Sequence, residues 1–151
     1  MNRISILILD DVPYVRRLIS DELSSLGEVG MIYEAGSAPA AVRALLEHHP
    51  EIIILDINVP GGVVDTANYS SGIDVLQFAK SQLPDSTVII LSNNSNQYYR
   101  RECKKAGVDL FFDKTTEFDL FLEKIQDEIN RTAYWIPVEK LTERTSGPQR
   151  E

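Results

Sequence analysis

The chain has 151 residues, of which 43% are hydrophobic and 25% are charged, and this is enough for one globular domain with a sizeable core. Its net charge of -8 repels phosphate backbones, so we expect no direct DNA binding by this chain. The single cysteine, Cys103, excludes an internal disulfide and fits a cytoplasmic protein, and no apolar run is long enough for a signal peptide or a membrane span.

Short apolar runs predict the strands of one sheet. Four of them are nearly continuous, which is typical of parallel strands that are buried on both faces. The run that begins at Val29 is weaker and predicts an edge strand. In chain order the predicted strands are Ile4–Leu9, Val29–Tyr33, Ile52–Leu55, Val88–Leu91 and Val108–Phe112.

A helical pattern follows each predicted strand. The first predicted helix begins at Pro13 and ends at Gly27, because proline suits a first turn and glycine a helix end. Ser37 is the predicted N-cap of the second helix, and the third follows Gly72. The fourth, at about residues 96–106, has few apolar residues, which indicates an exposed helix.

The fifth predicted helix has apolar residues at 3.6-residue spacing from Phe118 to Ile129. Thr116 and Asp119 predict a capping box at its start. The strand–helix alternation predicts an α/β fold, a doubly wound (βα)5 flavodoxin-like three-layer sandwich with a five-stranded parallel sheet. We expect this domain to span residues 1–130, followed by a C-terminal tail (131–151) that is either flexible or docks through Tyr134 and Trp135.

Acidic, hydroxyl and amino side chains follow the predicted strands at the edge where such folds bind ligands. Asp10 and Asp11 follow the first strand, Asp56 the third, Ser92 the fourth and Lys114 the fifth. Clustered carboxylates favour a hard cation, Mg²⁺ or else Mn²⁺, and a carboxylate beside a metal and a lysine can act as a nucleophile toward phosphorus. Taken singly, each residue could instead be a helix cap, a turn former or a solvated charge.

Four stretches resemble the receiver domain of bacterial two-component response regulators. "LILDDVPYVRRLI" resembles its acidic pair and first helix, and "IIILDINVPGG" its phosphoacceptor strand and the turn that follows. "VIILSNN" resembles the strand that ends in a hydroxyl residue, and "AGVDLFFDK" the stretch that ends in a lysine. These motifs lie in the same order between about residues 3 and 130, and no output domain is recognised, so the resemblance implies a stand-alone, single-domain response regulator.

The resemblance implies a role for each matching position. Asp56 would accept a phosphoryl group from a histidine kinase or a phosphotransfer protein, and Lys114 would contact that group. Asp10, Asp11, Asp56 and the backbone carbonyl of Asn58 would hold Mg²⁺. Such a domain is not an enzyme in the ordinary sense, because it catalyses only its own phosphotransfer and dephosphorylation.

The resemblance also implies a conformational switch. Ser92 would move toward the phosphoryl group, and Phe111 would be the aromatic switch residue, although an aromatic there could also be an ordinary core residue. The output partner would bind the face formed by the fourth helix, the fifth predicted strand and the fifth helix, and the protein would be a monomer or a weak dimer. The fourth helix carries an aromatic and basic group that is either such an interface or a solvated face, and its members are Tyr98, Tyr99, Arg100 and Arg101.

Two positions beside the predicted site depart from the family pattern. Thr115 follows the lysine where the family usually has a cis proline, which puts the geometry of that loop in doubt. Asn93 follows the hydroxyl residue where a small residue is usual. We expect its side chain to hinder access to Asp56 and to slow labelling by small phosphodonors.

The third departure is an insertion of about eight residues after Pro60, because Gly72 lies 72 − 56 = 16 positions beyond Asp56. The segment is either a tolerated surface loop or a lid or partner-contact element that brings Tyr69 or Asp65 near the metal.

Two other functional classes remain as alternatives. One is a phosphorylation-independent protein-binding module on a receiver scaffold. The other is a phosphatase with an aspartate nucleophile, which needs an Asp-x-Asp pair. This class is disfavoured because the residues two positions after Asp10 and Asp11 are Val12 and Pro13. His48 and His49 could suggest phosphodonor histidines, but they lie just before a proline, where a solvated helix end is expected.

Overall fold

The computed structural model describes residues 2–135, which form one parallel sheet, a small hairpin and five helices. The strands are β1 (Ile4–Leu9), β2 (Val29–Ala35), β3 (Ile52–Leu55), β4 (Gly62–Val64), β5 (Ala67–Tyr69), β6 (Thr87–Ser92) and β7 (Leu110–Asp113). The helices are α1 (Pro13–Ser24), α2 (Ala38–His48), α3 (Gly72–Gln82), α4 (Gln97–Lys105) and α5 (Phe118–Ala133). No helix in this part of the chain is long and apolar enough to cross a membrane.

The main sheet is parallel throughout and has the strand order β2-β1-β3-β6-β7. The chain moves outward to β2 and then returns past β1 to β3, so the strand order reverses between β1 and β3. A crevice at the carboxyl ends of the strands is expected at such a reversal. The predicted fold class is confirmed, and so is the position of the second strand at an edge of the sheet.

Helices cover both faces of the sheet, because successive residues of each buried strand point to opposite faces. Ile6 and Ile8 pack with α1 and α5 on one face, whereas Leu7 and Leu9 pack with α2 and α3 on the other. Cys103 of α4 joins the second core and is fully buried. Burial raises the pKa of this thiol to about 11, so the cysteine stays protonated and unreactive.

Two of the predicted helix boundaries are wrong. The first helix ends at Ser24 and not at Gly27, because backbone bonds from Leu26 to Leu23 and from Val29 to Leu26 form turns that lead directly into β2. Gly27 does not adopt the left-handed conformation of a glycine cap. Ser37 does cap α2, as predicted, by accepting a hydrogen bond from the Ala40 amide.

The predicted capping box at the start of α5 is also absent, because Glu117 is the N-cap residue and makes no side-chain cap bond. The amides of Thr115 and Thr116 instead donate to the Asp113 carboxylate, so Thr116 lies in a turn organised by the end of β7. At its other end α5 continues to Ala133. The Tyr134 hydroxyl donates to Glu28, which supports docking at this residue, and the predicted tail from residue 136 onward lies outside the described residues.

The inserted segment after Pro60 forms a β-hairpin. Its strands β4 and β5 pair antiparallel, with Gly62 opposite Tyr69, and Asp65 adopts a left-handed conformation (φ 57°) in the tight turn between them. Gly62 packs so closely on α2 that a Cβ there would lie 2.9 Å from Pro39 Cγ. The Tyr69 ring packs edge-on against Phe78 of α3, with 5.7 Å between centroids. The hairpin is therefore built into the layer formed by α2 and α3.

Candidate functional site

The carboxyl ends of four neighbouring strands deliver the predicted site residues to one edge of the sheet. Asp10 follows β1, Asp56 follows β3, Ser92 ends β6 and Lys114 follows β7. The amide of Asp56 donates to the Leu9 carbonyl, at 2.9 Å, so the hydrogen-bond ladder of the sheet continues as far as this acid. Asp10, Asp56 and Ser92 are buried, and rigid strands fix their positions.

Lys114 joins the two buried carboxylates. Its Nζ donates to Asp10 Oδ2 at 2.6 Å and to Asp56 Oδ2 at 2.9 Å. The other oxygen of each carboxylate accepts a backbone hydrogen bond, from the Val12 amide to Asp10 and from the Ile57 amide to Asp56. The lysine and the two acids therefore have a defined geometry.

Burial and charge act in opposite directions on these groups. Burial raises the pKa of Asp56, although the hydrogen bond and the positive charge of Lys114 act against that rise. For Lys114, burial alone would lower the pKa, but hydrogen bonds and attraction to Asp10 and Asp56 outweigh it, and the pKa is raised. The lysine is therefore charged at neutral pH.

A third acid completes a group that could hold a cation. Asp11 is exposed, and one oxygen each from Asp10, Asp11 and Asp56 lie within 4.8 Å of one another. Three carboxylates and one ammonium leave excess negative charge, and oxygen donors are the ligands that Mg²⁺ and Mn²⁺ prefer. The residues present therefore fit a hard divalent cation. Asn58, whose carbonyl is the further predicted ligand, is exposed two positions beyond Asp56.

Gly72 sets how closely α3 approaches the site. Its amide donates to the Ile57 carbonyl at 2.8 Å, and a Cβ on this residue would lie 1.8 Å from the Asp56 carbonyl oxygen. No side chain fits in that space, so only glycine allows the helix to begin directly behind Asp56. The sequence placed Gly72 at the start of a helix but gave no reason for glycine there.

Arg16 supports the segment after β1 that carries Asp10 and Asp11. The sequence alone offered no reason to single out this arginine. Its guanidinium donates to the Asp10 carbonyl at 2.7 Å and to the Glu34 carboxylate at 3.1 Å. Arg16 therefore ties the end of β1 to β2 and orients the backbone that carries Asp10 and Asp11.

The family model for the response regulator receiver domain matches residues 6–126. The chain belongs to this family. It is 29% identical over 126 residues to the transcriptional regulatory protein KdpE of Mycobacterium tuberculosis, a match that covers 83% of this chain and 51% of that protein. The chain thus spans about half the length of this curated relative.

Solved receiver domains have the same fold at low sequence identity. The response regulator domain of Thermotoga maritima CheB superimposes with a TM-score of 0.71 at 20% identity, over 90% of this chain and 100% of that one. A BeF3-activated DrrB receiver domain has a TM-score of 0.67 at 21% identity, over 85% and 99% of the two chains. Receiver domains are signalling modules rather than ordinary enzymes.

The two departures from the receiver pattern beside the site contact each other. The Thr115 hydroxyl donates to Asn93 Oδ1 at 2.8 Å, which joins the loops after β6 and β7. The described peptide bonds are all trans, so Lys114 precedes Thr115 without the usual cis bond. The Asp113 carboxylate holds this turn instead, by accepting from the amides of Thr115 and Thr116. Ser92 Oγ accepts from the Asn94 amide at 3.0 Å.

Phe111 is half-buried against the core, and the Arg100 guanidinium lies over its ring, 4.6 Å from the centroid. On the same helix Tyr98 is exposed and Tyr99 is partly buried. The two predicted loop residues make other contacts: Tyr69 packs on Phe78 of α3, and Asp65 forms the hairpin turn and is not a member of the carboxylate group.

The histidines at the end of α2 are distant from this chemistry. His48 stacks on Tyr33, with 3.8 Å between ring centroids, and His49 is the left-handed C-cap of the helix. Both are exposed, as predicted for a helix end.

Proposed function

We propose that this receiver domain accepts a phosphoryl group on Asp56 from a histidine kinase or a phosphotransfer protein, in a Mg²⁺-dependent reaction. The observation that carries the proposal is the placement of the Asp56 carboxylate between the Lys114 ammonium and two further acids, Asp10 and Asp11. A nucleophile in that position faces the positive charge that phosphoryl transfer requires.

The chemistry is a transfer between a phosphohistidine and a carboxylate. An Asp56 oxygen forms a bond to phosphorus as the bond from phosphorus to the donor imidazole nitrogen breaks, and the imidazole leaves with the electron pair. Lys114 neutralises negative charge on the phosphoryl oxygens, and Ser92 lies at the neighbouring strand end as a hydroxyl donor. Asp10, Asp11, Asp56 and the Asn58 carbonyl would hold the metal, which supplies further charge neutralisation.

The phosphoryl group would then bias a switch. A new anion that binds Lys114 and Ser92 would displace the loops after β6 and β7. Phe111 lies in β7, and Arg100 of α4 contacts its ring. Output would pass to a protein that binds the face of α4, β7 and α5. Water attack on the acyl phosphate would return the domain to its resting form, so its own dephosphorylation would be its only hydrolytic reaction. We place this cycle in the cytoplasm, without direct DNA binding by these residues.

The test is phosphoryl transfer from a phosphorylated histidine kinase domain, or from acetyl phosphate, measured by the change in intact mass. The parent protein is expected to gain one phosphoryl group with Mg²⁺ and none with excess EDTA. Asp56→Asn, which keeps the size of the side chain, is expected to gain none. Equal labelling of both proteins would refute the proposal, and a parent that is never labelled would favour the phosphorylation-independent binding module.

A further inference from the structure

Arg100 of α4 makes a set of contacts that neither the fold nor the phosphoacceptor chemistry requires. Its Nε donates to the Ser95 carbonyl at 3.0 Å, and its terminal nitrogen donates to Glu117 Oε1 at 3.2 Å. The same guanidinium lies over the Phe111 ring at 4.6 Å, which is within cation–π distance. One side chain therefore contacts the loop after β6, the β7 strand and the N-cap of α5.

The partners of Arg100 are themselves joined to the residues beside the site. The Glu117 carboxylate accepts from the Asp113 amide at 2.8 Å, and the Asp113 carboxylate accepts from the Ser95 hydroxyl. The hydrogen bond from Ser95, followed by those from Thr116 and Thr115, lowers the pKa of the Asp113 carboxyl to about 2 and keeps it ionised. Ser95 lies three residues after Ser92, and Asp113 directly precedes Lys114. The network thus lies beside both predicted phosphoryl ligands, Ser92 at the end of β6 and Lys114 directly after β7.

A contribution to the folding free energy does not explain the contacts of Arg100. The side chains of Arg100 and Glu117 are 43% and 35% exposed, and ion pairs that are this accessible contribute little to folding. Neighbouring Arg101 is also exposed and makes no hydrogen bond or ion pair within residues 2–135. The contacts of Arg100 are therefore specific to its position on α4 and do not follow from the basic character of the helix.

We propose that Arg100 is a positioning residue that clamps Phe111 and the loop after β6 in the arrangement described here, and so opposes the rearrangement that phosphoryl binding at Asp56 drives. This inference rests on the proposed function. Movement of Ser92 toward an anion on Asp56 shifts the loop that carries Ser95, and the bond from Arg100 to the Ser95 carbonyl resists that shift. The ring of Phe111 cannot move without breaking its cation–π contact with the guanidinium.

Thermodynamic linkage between the conformational switch and anion binding predicts the direction in which loss of Arg100 changes the affinity for the anion. A contact that is made only in one conformer reduces the affinity of any ligand that prefers the other conformer. Removing the clamp is therefore expected to raise the affinity for a phosphoryl mimic roughly threefold to tenfold, the range that an exposed ion pair plus a cation–π contact allows. Loss of a positive charge alone would weaken anion binding, so the expected change is opposite to the simple Coulomb effect.

The experiment measures beryllofluoride binding to the full chain in saturating Mg²⁺ by isothermal titration calorimetry. Arg100→Met removes the clamp, and Arg101→Met is the matched control, since it removes one charge from the same helix without breaking a described contact. Arg100→Met is expected to bind more tightly, whereas Arg101→Met is expected to bind as the parent does or slightly more weakly. Glu117→Gln keeps an oxygen for the Asp113 amide but loses the ion pair, so its affinity should fall between those of Arg100→Met and the parent.

A second readout reports on the switch itself. With fluorophenylalanine in place of phenylalanine, the ¹⁹F resonance of Phe111, assigned with Phe111→Leu, is expected to shift when beryllofluoride binds. In Arg100→Met without the mimic, the resonance should lie part-way toward the bound position, and Arg100→Lys, which retains a cation above the ring, should restore it in part. A purely structural role for Arg100 would leave this resonance near the parent position.

The outcomes separate this inference from the proposed function. A parent protein that binds no beryllofluoride in Mg²⁺ would count against the phosphoacceptor proposal itself. A parent that binds it, with unchanged or weaker binding by Arg100→Met, would overturn the clamp and leave the phosphoacceptor proposal standing. If Arg100→Met does not fold, as judged by circular dichroism, the affinity and ¹⁹F spectrum of Glu117→Gln decide in the same way.

Discussion

Replacing Lys114 with methionine removes the ammonium between two buried carboxylates. The methionine side chain keeps most of the apolar part of the lysine side chain. The side chain of Lys114 is 15% exposed, and those of Asp10 and Asp56 are 3% and 8% exposed. The substitution therefore leaves two buried negative charges without their shared partner. Breaking a buried ion pair from one side destabilises proteins by about 3–5 kcal/mol.

We expect the lower end of that range, about 3 kcal/mol at pH 7, because the site opens to solvent and Asp56 can take up a proton. Burial already raises the pKa of Asp56, and loss of Lys114, which acts against that rise, raises it further. The difference in free energy of unfolding between the parent and the variant should therefore shrink as the pH falls through the folded-state pKa of Asp56. In the parent, the folded-state pKa of Lys114 is raised, so its contribution is complete below the unfolded value of about 10.4 and is lost as the pH rises through the folded-state value.

The assay is urea unfolding followed by circular dichroism, with and without Mg²⁺, and with Lys124→Met as the control for an exposed lysine. Mg²⁺ at about 100 times its dissociation constant stabilises a protein by about 2.7 kcal/mol. Mg²⁺ should stabilise the Lys114 variant more than the parent, because no ammonium competes with the metal for the carboxylates of the variant. A loss of stability below about 1 kcal/mol at pH 7, or a variant that is insensitive to Mg²⁺, would refute the electrostatic account of the site.

Three further substitutions test other parts of the structure. Asn93→Ala, which removes the bond to Thr115, should speed labelling by acetyl phosphate several-fold, and an unchanged rate would show that Asn93 does not restrict access. Gly72→Ala should destabilise the fold by about 3 kcal/mol or more in urea unfolding, because its Cβ would lie 1.8 Å from the Asp56 carbonyl oxygen, and near-parent stability would contradict that contact. Tyr69→Ala should lower stability by about 2 kcal/mol and leave the rate of phosphotransfer unchanged, since the Tyr69 ring packs on Phe78 of α3, and a changed rate would favour a lid.

The sequence predicted the sheet and the site together because both depend on the same local signals. Continuous apolar runs identify buried parallel strands, and the polar residues that follow each run must lie near the carboxyl edge of the sheet. This reasoning placed Asp10, Asp56, Ser92 and Lys114 in one region, where the structure places them.

Features that depend on contacts between distant segments could not be predicted in this way. Thr116 and Asp119 have the spacing of a capping box, but the Thr116 amide that the box would use donates to the Asp113 carboxylate, which determines the turn. The clamp by Arg100 joins residues from three elements, and no periodicity reveals it. The hairpin has a tight turn at Asp65 without the Asn-Gly or Asp-Gly signal of common hairpins, so the sequence suggested only a loop.

Phosphorylation of Asp56 is tested most directly by locating the phosphoryl group. The protein is incubated with Mg²⁺ and acetyl phosphate, the acyl phosphate is reduced with borohydride, and the peptides are mapped by mass spectrometry. We expect the reduced residue to be Asp56, and we expect omission of Mg²⁺ to abolish the product. A product at another residue, or one that forms equally well in EDTA, would contradict it.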